Sequence, residues 1–154
     1  MNEKAQNYWN AFWQDQDAPV NVAAEQFGWE GTPLADELAD LIVRGVKTAT
    51  CSGHMFYEEG EPLPTVGTYT IILNSKDDPV AIIRTTDVQL VPMNEVTEDF
   101  ARAEGEGDLS YAYWYEGHKD FFTKQCAELG MAFKEDMLLV CERFELIDIK
   151  NKEV

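Results

Sequence analysis

The sequence predicts an α+β domain in which helices precede and separate the strands of one sheet. Apolar residues recur every three or four positions in the first 44 residues, which is typical of amphipathic helices. Three β-rich runs, at 68–74, 79–91 and 137–149, are typical of strands. The first two are separated only by SKDD, which predicts a hairpin. This order fits a mixed or antiparallel sheet that can curl into a small barrel.

The first predicted helix covers residues 3–15. Its apolar face carries Ala5, Tyr8, Trp9, Phe12 and Trp13. We expect this face to pack on the rest of the domain. The alternative is a ligand or partner surface that uses two exposed tryptophans.

The second predicted helix has signals at both ends. Thr32 can cap it, and Pro33 suits its first position. Arg44 suits the negative C-terminus, and Gly45 suits the left-handed position that ends a helix. The apolar stripe consists of Leu34, Leu38, Leu41 and Ile42.

Residues 48–52 predict a short strand directly after this helix. Alternation separates Thr48, Thr50 and Ser52 from Ala49 and Cys51. Later in the chain, 96–104 predicts a short helix, and 109–128 predicts a longer one with Asp108 as its cap. Gly105 and Gly130 end these two helices.

The composition predicts a single globular domain in the cytoplasm. The chain has 154 residues, of which 45% are hydrophobic. No apolar run approaches the ~20 residues of a membrane span, and the first residues lack the layout of a signal peptide. The three cysteines form no CxxC pair, which favours reduced thiols.

The net charge limits the size of a partner. The 29 acidic residues exceed the 12 basic ones and give a formal charge of −17. An extended nucleic acid would be repelled over most of such a surface. A small ligand or a short nucleotide could still enter a locally positive pocket.

The stretch GVKTAT matches the pattern GxKxxT at Gly45, Lys47 and Thr50, between the second helix and the strand. This resembles the ASCH domain, whose small β-barrel is similar to PUA RNA-binding domains. The segments FGW, VGTYTIIL, WYEGHKDFF and LLVCERFEL, in this order, and the long run from Pro79 to Asp108 look like the longer bacterial branch of the family. The resemblance implies a PUA-like barrel with flanking helices. It divides the chain into an N-terminal helical extension at 1–26, packed on an ASCH domain at 27–150.

The resemblance also implies a function. Some short members resemble amidohydrolases that act on N4-acylated cytidine through a Lys, Thr and Glu set. The Lys and Thr fall on Lys47 and Thr50, and matching VTEDFARAE places the Glu at Glu104. Another branch is associated with ribonuclease activity. The alternative function is therefore a PUA-like module that binds RNA or a nucleotide, or a ribonuclease.

General chemistry constrains the roles of these residues. A threonine hydroxyl needs a neighbour to take its proton. Lys47 can do so only if its pKa falls well below about 10.4, and a nearby carboxylate opposes that fall. Glu104 would therefore more naturally orient Lys47, shuttle a proton or protonate the leaving amine. Because positions 47 and 50 differ in strand parity, Lys47 must lie in the turn for both groups to converge. The competing interpretation is a surface lysine and a core threonine.

Several other polar residues are candidates for the same site. Glu106 and Asp108 compete with Glu104, and a solvated acidic turn is the alternative for all three. Trp114 and His118, at i and i+4 of one helix, could wall a base-binding pocket or simply pack in the core. The remaining candidate ligand-binding residues are Arg44 and Ser52.

Cofactors and metals are not expected. Cys51 and His54 have the spacing of half a zinc site, but Cys126 and Cys141 stand alone and complete no second pair. We predict a small modified nucleoside or a short nucleotide as the ligand, and no extended nucleic acid or membrane as a partner.

Overall fold

The structure, a computed structural model, describes residues 1–14 and 16–150. Within these residues the helices are α1 (Glu3–Trp13), α2 (Pro33–Val43), α3 (Glu98–Glu104) and α4 (Tyr111–Glu128). The strands are β1 (Val22–Glu25), β2 (Ala49–Gly53), β3 (Tyr69–Leu73), β4 (Pro79–Pro92) and β5 (Leu138–Ile149). The predicted α+β class is confirmed. In the described part of the chain, none of the helices has the length and apolar character that a membrane span requires.

All five strands of the described residues form one sheet in the order β1-β3-β4-β5-β2. Strand β1 is parallel to β3, and the other neighbours are antiparallel. A closed barrel would need β1 to pair with β2, and that pairing does not occur among the described strands. Strand β2, which follows Lys47, is therefore an edge strand.

Strand β1 was not predicted from the sequence. Its four residues, VAAE, contain a single β-branched side chain, so local propensity gives little signal. Pairing with β3, from Val22 opposite Tyr69 to Glu25 opposite Ile72, makes it a strand. Part of the predicted 1–26 extension thus belongs to the sheet. The predicted helix end at residue 15 lies outside the described residues, and α1 ends at Trp13.

The helix starts show which cap signals are used. Thr97 and Ser110 accept hydrogen bonds from backbone N–H groups of α3 and α4. Helix α4 begins at Tyr111 rather than 109 because Leu109 has a φ of 68°, which is incompatible with a helix. Thr32 precedes α2 as predicted, but its hydroxyl donates to the carbonyl of Trp29 and does not cap the helix.

Apolar side chains of the helices pack on the sheet in three clusters. The buried face of α1, which includes Trp9, packs on Ile71 and Ile82, as predicted for this helix. Helix α2 packs around Ile42. The third cluster joins α3 and α4 to β2, β4 and β5 and includes Trp114. These clusters hold the C-terminal ends of α2 and α3, and the N-terminal half of α4, near the start of β2.

The end of α3 lies directly against the turn that follows α2. The N–H of Thr48 donates to the carbonyl of Ala103 at 2.7 Å. Gly105 has a φ of 73°, and a Cβ there would lie 2.5 Å from the carbonyl oxygen of Val46 and 2.9 Å from the Cα of Lys47. This close approach of two backbones requires glycine.

We predict that Gly105→Ala destabilises the fold more than Gly130→Ala. Gly130 has a similar φ, 69°, and nothing lies within 4 Å of a Cβ placed there. Both substitutions carry the left-handed backbone cost of roughly 1–2 kcal/mol. Gly105→Ala adds about 1–3 kcal/mol of overpacking. Urea denaturation measures both free energies of unfolding, and equal losses would contradict the close approach.

Candidate functional site

The turn between α2 and β2 points Lys47 into the protein. Gly45, with a φ of 75°, ends α2, and the N–H groups of Val46 and Lys47 both donate to the carbonyl of Leu41, at 3.0 and 3.1 Å. Lys47 precedes β2, as the parity argument predicts. Its side chain is 1% exposed, so it is not a surface lysine.

Two carboxylates hold the ammonium of Lys47. Its Nζ donates to Oε1 of Glu104 at 3.0 Å and to Oε2 of Glu106 at 3.1 Å. Glu104 is the last residue of α3 and is also 1% exposed, whereas Glu106 is 23% exposed. Two of the three carboxylates that competed in the sequence therefore contact Lys47, but in different environments.

The second oxygen of Glu104 collects donors from two other elements. The indole N–H of Trp114 on α4 donates to Oε2. His118 Nε2, one turn further along α4, lies 3.3 Å from the same oxygen. The thiol of Cys51 on β2 donates to it at 3.3 Å. Glu104, at the end of α3, thus links α3, α4 and β2 through one buried carboxylate.

The contacts of His118 favour its protonated form. Nδ1 lies 2.8 Å from the carbonyl oxygen of Trp114, which can only accept. Nδ1 must therefore donate, so Nε2 needs a second proton to bond the carboxylate of Glu104. The imidazole also stacks on Trp114, with ring centroids 4.5 Å apart. Burial alone lowers the pKa of His118. The charge of Glu104, its hydrogen bond to the imidazole and the charge of Glu106 together outweigh burial, so the net direction is upward.

The same balance sets the charges of Lys47 and Glu104. Burial alone lowers the pKa of Lys47, but Glu104 and Glu106 outweigh it and raise the pKa above its usual value. Burial alone raises the pKa of Glu104, but Lys47 and His118 outweigh it and the pKa falls. Lys47 is therefore an ammonium in the free site, and the predicted lysine base with a lowered pKa is not what these contacts produce.

Cys51 is held as a neutral thiol. Burial, and next the charge of Glu104, raise its pKa well above the ordinary thiol value. A neutral thiol is a weak nucleophile, so Cys51 serves the site as a hydrogen-bond donor.

These groups line one cavity of about 310 Å³ between α2, β2 and α4. The hydroxyl-bearing residue Thr50 lies on its wall together with Lys47, Glu104 and His118. Thr50 and Cys51 are neighbours on β2, so their side chains point to opposite faces of the strand. The cavity reaches both of them because β2 lies at the edge of the sheet. The rest of the lining is largely aromatic and aliphatic: Trp29, Leu34, Leu38, Tyr113, Trp114, Phe121 and Phe122.

Three other candidates lie outside this cavity. Arg44 is exposed and pairs with Asp40 at 2.8 Å, because the helix end points it towards solvent. Ser52 bonds the hydroxyl of Tyr57 instead of facing the cavity. Asp108 is exposed and accepts a hydrogen bond from the N–H of Ser110.

One group of metal-type ligands occurs in the described residues. Ligand atoms of Cys51, Glu104 and His118 lie within 4.8 Å of one another. Oε2 of Glu104 already accepts the Trp114 N–H, and the ammonium of Lys47 sits on its other oxygen. We therefore treat the three as a hydrogen-bonded network and assign no metal ligands. His54, which has the spacing of half a zinc site with Cys51, lines a different cavity.

Two parts of the site had little signal in the sequence. Cys51 drew attention only through its spacing to His54, and nothing in the local sequence indicated that its thiol would contact Glu104. Trp29 entered only as part of FGW, yet it lines the cavity and packs on Phe121 with ring centroids 4.6 Å apart. Aromatic residues just before a helix do not by themselves indicate the wall of a cavity, because long-range packing decides what their rings contact.

The fold has counterparts in known proteins. The ASCH domain profile matches residues 23–148. An ASCH domain from Lactobacillus crispatus is 39% identical, covers 95% of each chain and superposes with a TM-score of 0.88. Protein EF3133 from Enterococcus faecalis is 42% identical over 97% of this chain and 91% of its own, with a TM-score of 0.84. No curated protein matches the chain significantly. The profile and the two structures together show that this chain belongs to the ASCH domain family.

Proposed function

We propose that the protein is an amidohydrolase that releases the acyl group from N4-acylated cytidine or a related modified nucleoside. One observation carries the proposal: the buried pair of Lys47 and Glu104 lies in the wall of the cavity that Thr50 also lines. A buried ion pair is seldom a net source of stability, because both charges lose their hydration. Its place beside a hydroxyl in a cavity is therefore better explained by chemistry.

The proposed reaction is an acyl transfer to Thr50. The hydroxyl oxygen attacks the acyl carbon, and the exocyclic amine of cytidine leaves with a proton. Water then hydrolyses the ester on Thr50. The ammonium of Lys47 can stabilise the oxyanion that forms on the acyl oxygen. Glu104 orients Lys47, which is one of the three roles expected for this carboxylate.

The cavity suits a small, planar and neutral ligand. Its volume of about 310 Å³ lies at the low end of the ~300–1,000 Å³ that is typical of small-molecule sites. Each cationic side chain in the lining has an acidic neighbour: Lys47 and His118 contact Glu104, and Lys124 pairs with Asp120. No cation in the described lining is left over for a phosphate. Aromatic side chains such as Trp29 and Phe121 offer faces for a pyrimidine.

The alternative of an RNA-binding module or a ribonuclease has less support. Five basic residues of the described surface are engaged by carboxylates: Lys4, Arg44, Arg84, Lys124 and Arg143. With a net charge of −17, carboxylates greatly outnumber the basic residues that could neutralise a phosphate backbone. We therefore propose a nucleoside as the partner and not an extended nucleic acid.

We predict that Thr50→Val lowers turnover of N4-acetylcytidine about 10³-fold or more, because the nucleophile is lost while the side-chain shape is kept. Lys47→Ala and Thr50→Ala should each abolish turnover as well. The assay incubates the protein with a panel of N4-acylcytidines and follows cytidine by chromatography.

Ser52→Ala is the matched control, because it removes a hydroxyl from the same strand outside the cavity. It should keep the activity. Absence of turnover across the whole panel would refute the proposed substrate class, and full activity in Thr50→Val would refute the proposed nucleophile.

We predict that N4-acetylcytidine binds at least about tenfold more tightly than its 5′-monophosphate, because the acidic protein repels the phosphate. A repulsion of about 1.4 kcal/mol is enough for a factor of ten in affinity. Titration calorimetry with Thr50→Val measures both affinities without turnover. Mixed-sequence RNA should bind weakly or not at all at physiological salt. A preference for the monophosphate, or submicromolar RNA affinity, would instead favour the binding-module alternative.

A further inference from the structure

We propose that Glu106 is the carboxylate that exchanges a proton with Lys47 during catalysis, while Glu104 stays ionised as a positioning residue. This inference rests on the proposed function and adds a catalytic residue to it. It draws on the run GEGD after α3, at residues 105–108, to which the matched Lys, Thr and Glu set gives no role.

The two carboxylates on Lys47 differ in how many other partners they have. Glu104 is 1% exposed and is contacted by Lys47, Trp114, His118 and Cys51. Glu106 is 23% exposed, and within the described residues its carboxylate bonds only Lys47. A proton placed on Glu106 thus disturbs one contact, whereas a proton on Glu104 disturbs the whole network.

Charge balance also favours Glu106 over Glu104 as the carboxylate that takes up the proton. Protonating Glu104 would leave the ammonium of Lys47 and the imidazolium of His118 without their shared counterion in a buried place, which is costly. Protonating Glu106 leaves Lys47 still paired with Glu104. The lining also contains Asp120 and Lys124 of α4, which pair with each other at 2.9 Å.

The proposed step moves one proton from Thr50 to Glu106 through Lys47. As the Thr50 oxygen bonds to the acyl carbon, its proton passes to Nζ, and Nζ passes a different proton to Oε2 of Glu106, 3.1 Å away. Lys47 remains an ammonium before and after the step, so no free lysine base is required. Glu106 then returns its proton through Lys47 to the nitrogen of the leaving amine when the carbon–nitrogen bond breaks.

The test compares Glu106→Gln, Glu104→Gln and the control Asp108→Asn, which alters an exposed carboxylate outside the cavity. With N4-acetylcytidine as substrate, we expect Glu106→Gln to lower kcat about 10²-fold or more and to change KM less than threefold. Glu106→Asp, which keeps a carboxyl group, should restore part of kcat, and Asp108→Asn should keep the wild-type kcat. A Glu106→Gln variant with wild-type kcat, or a Glu106→Asp variant as slow as Glu106→Gln, would overturn the inference and leave the proposed function standing.

A second measurement needs no turnover. NMR of the ¹⁵N-labelled Lys47 ammonium measures how fast its Nζ protons exchange with solvent. We expect Glu106→Gln to slow this exchange about tenfold or more, because it removes the partly exposed carboxylate that contacts Nζ, whereas Asp108→Asn should leave it unchanged. An unchanged exchange rate in Glu106→Gln would overturn the inference whether or not any acylcytidine is hydrolysed. An inactive wild-type protein with the expected slowing would refute the substrate and retain Glu106 as the exchanging carboxylate.

Discussion

The buried carboxylate of Glu104 is the interaction on which the rest of the site depends. It ends α3, and its two oxygens face Lys47 from the turn before β2, Trp114 and His118 from α4, and Cys51 from β2. An unpaired carboxylate in this place would be strongly disfavoured, so each of these donors is required to be present. The glycine after Glu104 lets the end of α3 approach the Lys47 turn closely enough for the pair to form.

This arrangement explains why an acidic chain buries a lysine. Glu104 holds Lys47 and His118 in their charged forms against the cost of burial. These two cations then add no net positive charge to the cavity, since Glu106 supplies the second negative charge and Lys124 pairs with Asp120. Such a site is poorly suited to attract a polyanion and well suited to stabilise charge that develops on a neutral ligand. The small volume and aromatic walls point in the same direction.

Much of this arrangement could be predicted from the sequence because its signals are local. Pro33 and Gly45 mark the ends of α2, and GxKxxT follows directly, so the place of Lys47 in a turn and of Thr50 in a strand could be predicted. Pairing between β1 and β3 could not, because VAAE has little strand propensity of its own. The outward direction of Arg44 and the contact of Ser52 with Tyr57 depend on tertiary packing. The charge state of Lys47 could not be predicted either, since it depends on how two carboxylates lie around one buried ammonium.

Glu104 keeps its cationic partners charged, and the ring of His118 reports this directly. A ¹⁵N NMR titration of the imidazole measures its pKa in the wild-type protein and in Glu104→Gln, with α4 amide signals as the check that the variant is folded. We expect a wild-type pKa above the ordinary histidine value of 6.5, because the charge and the hydrogen bond of Glu104, with the charge of Glu106, together outweigh burial. In Glu104→Gln burial remains without its counterion, so the pKa should fall below that of the wild type. A wild-type His118 that is already neutral at pH 6.5, or a pKa unchanged by Glu104→Gln, would contradict the account.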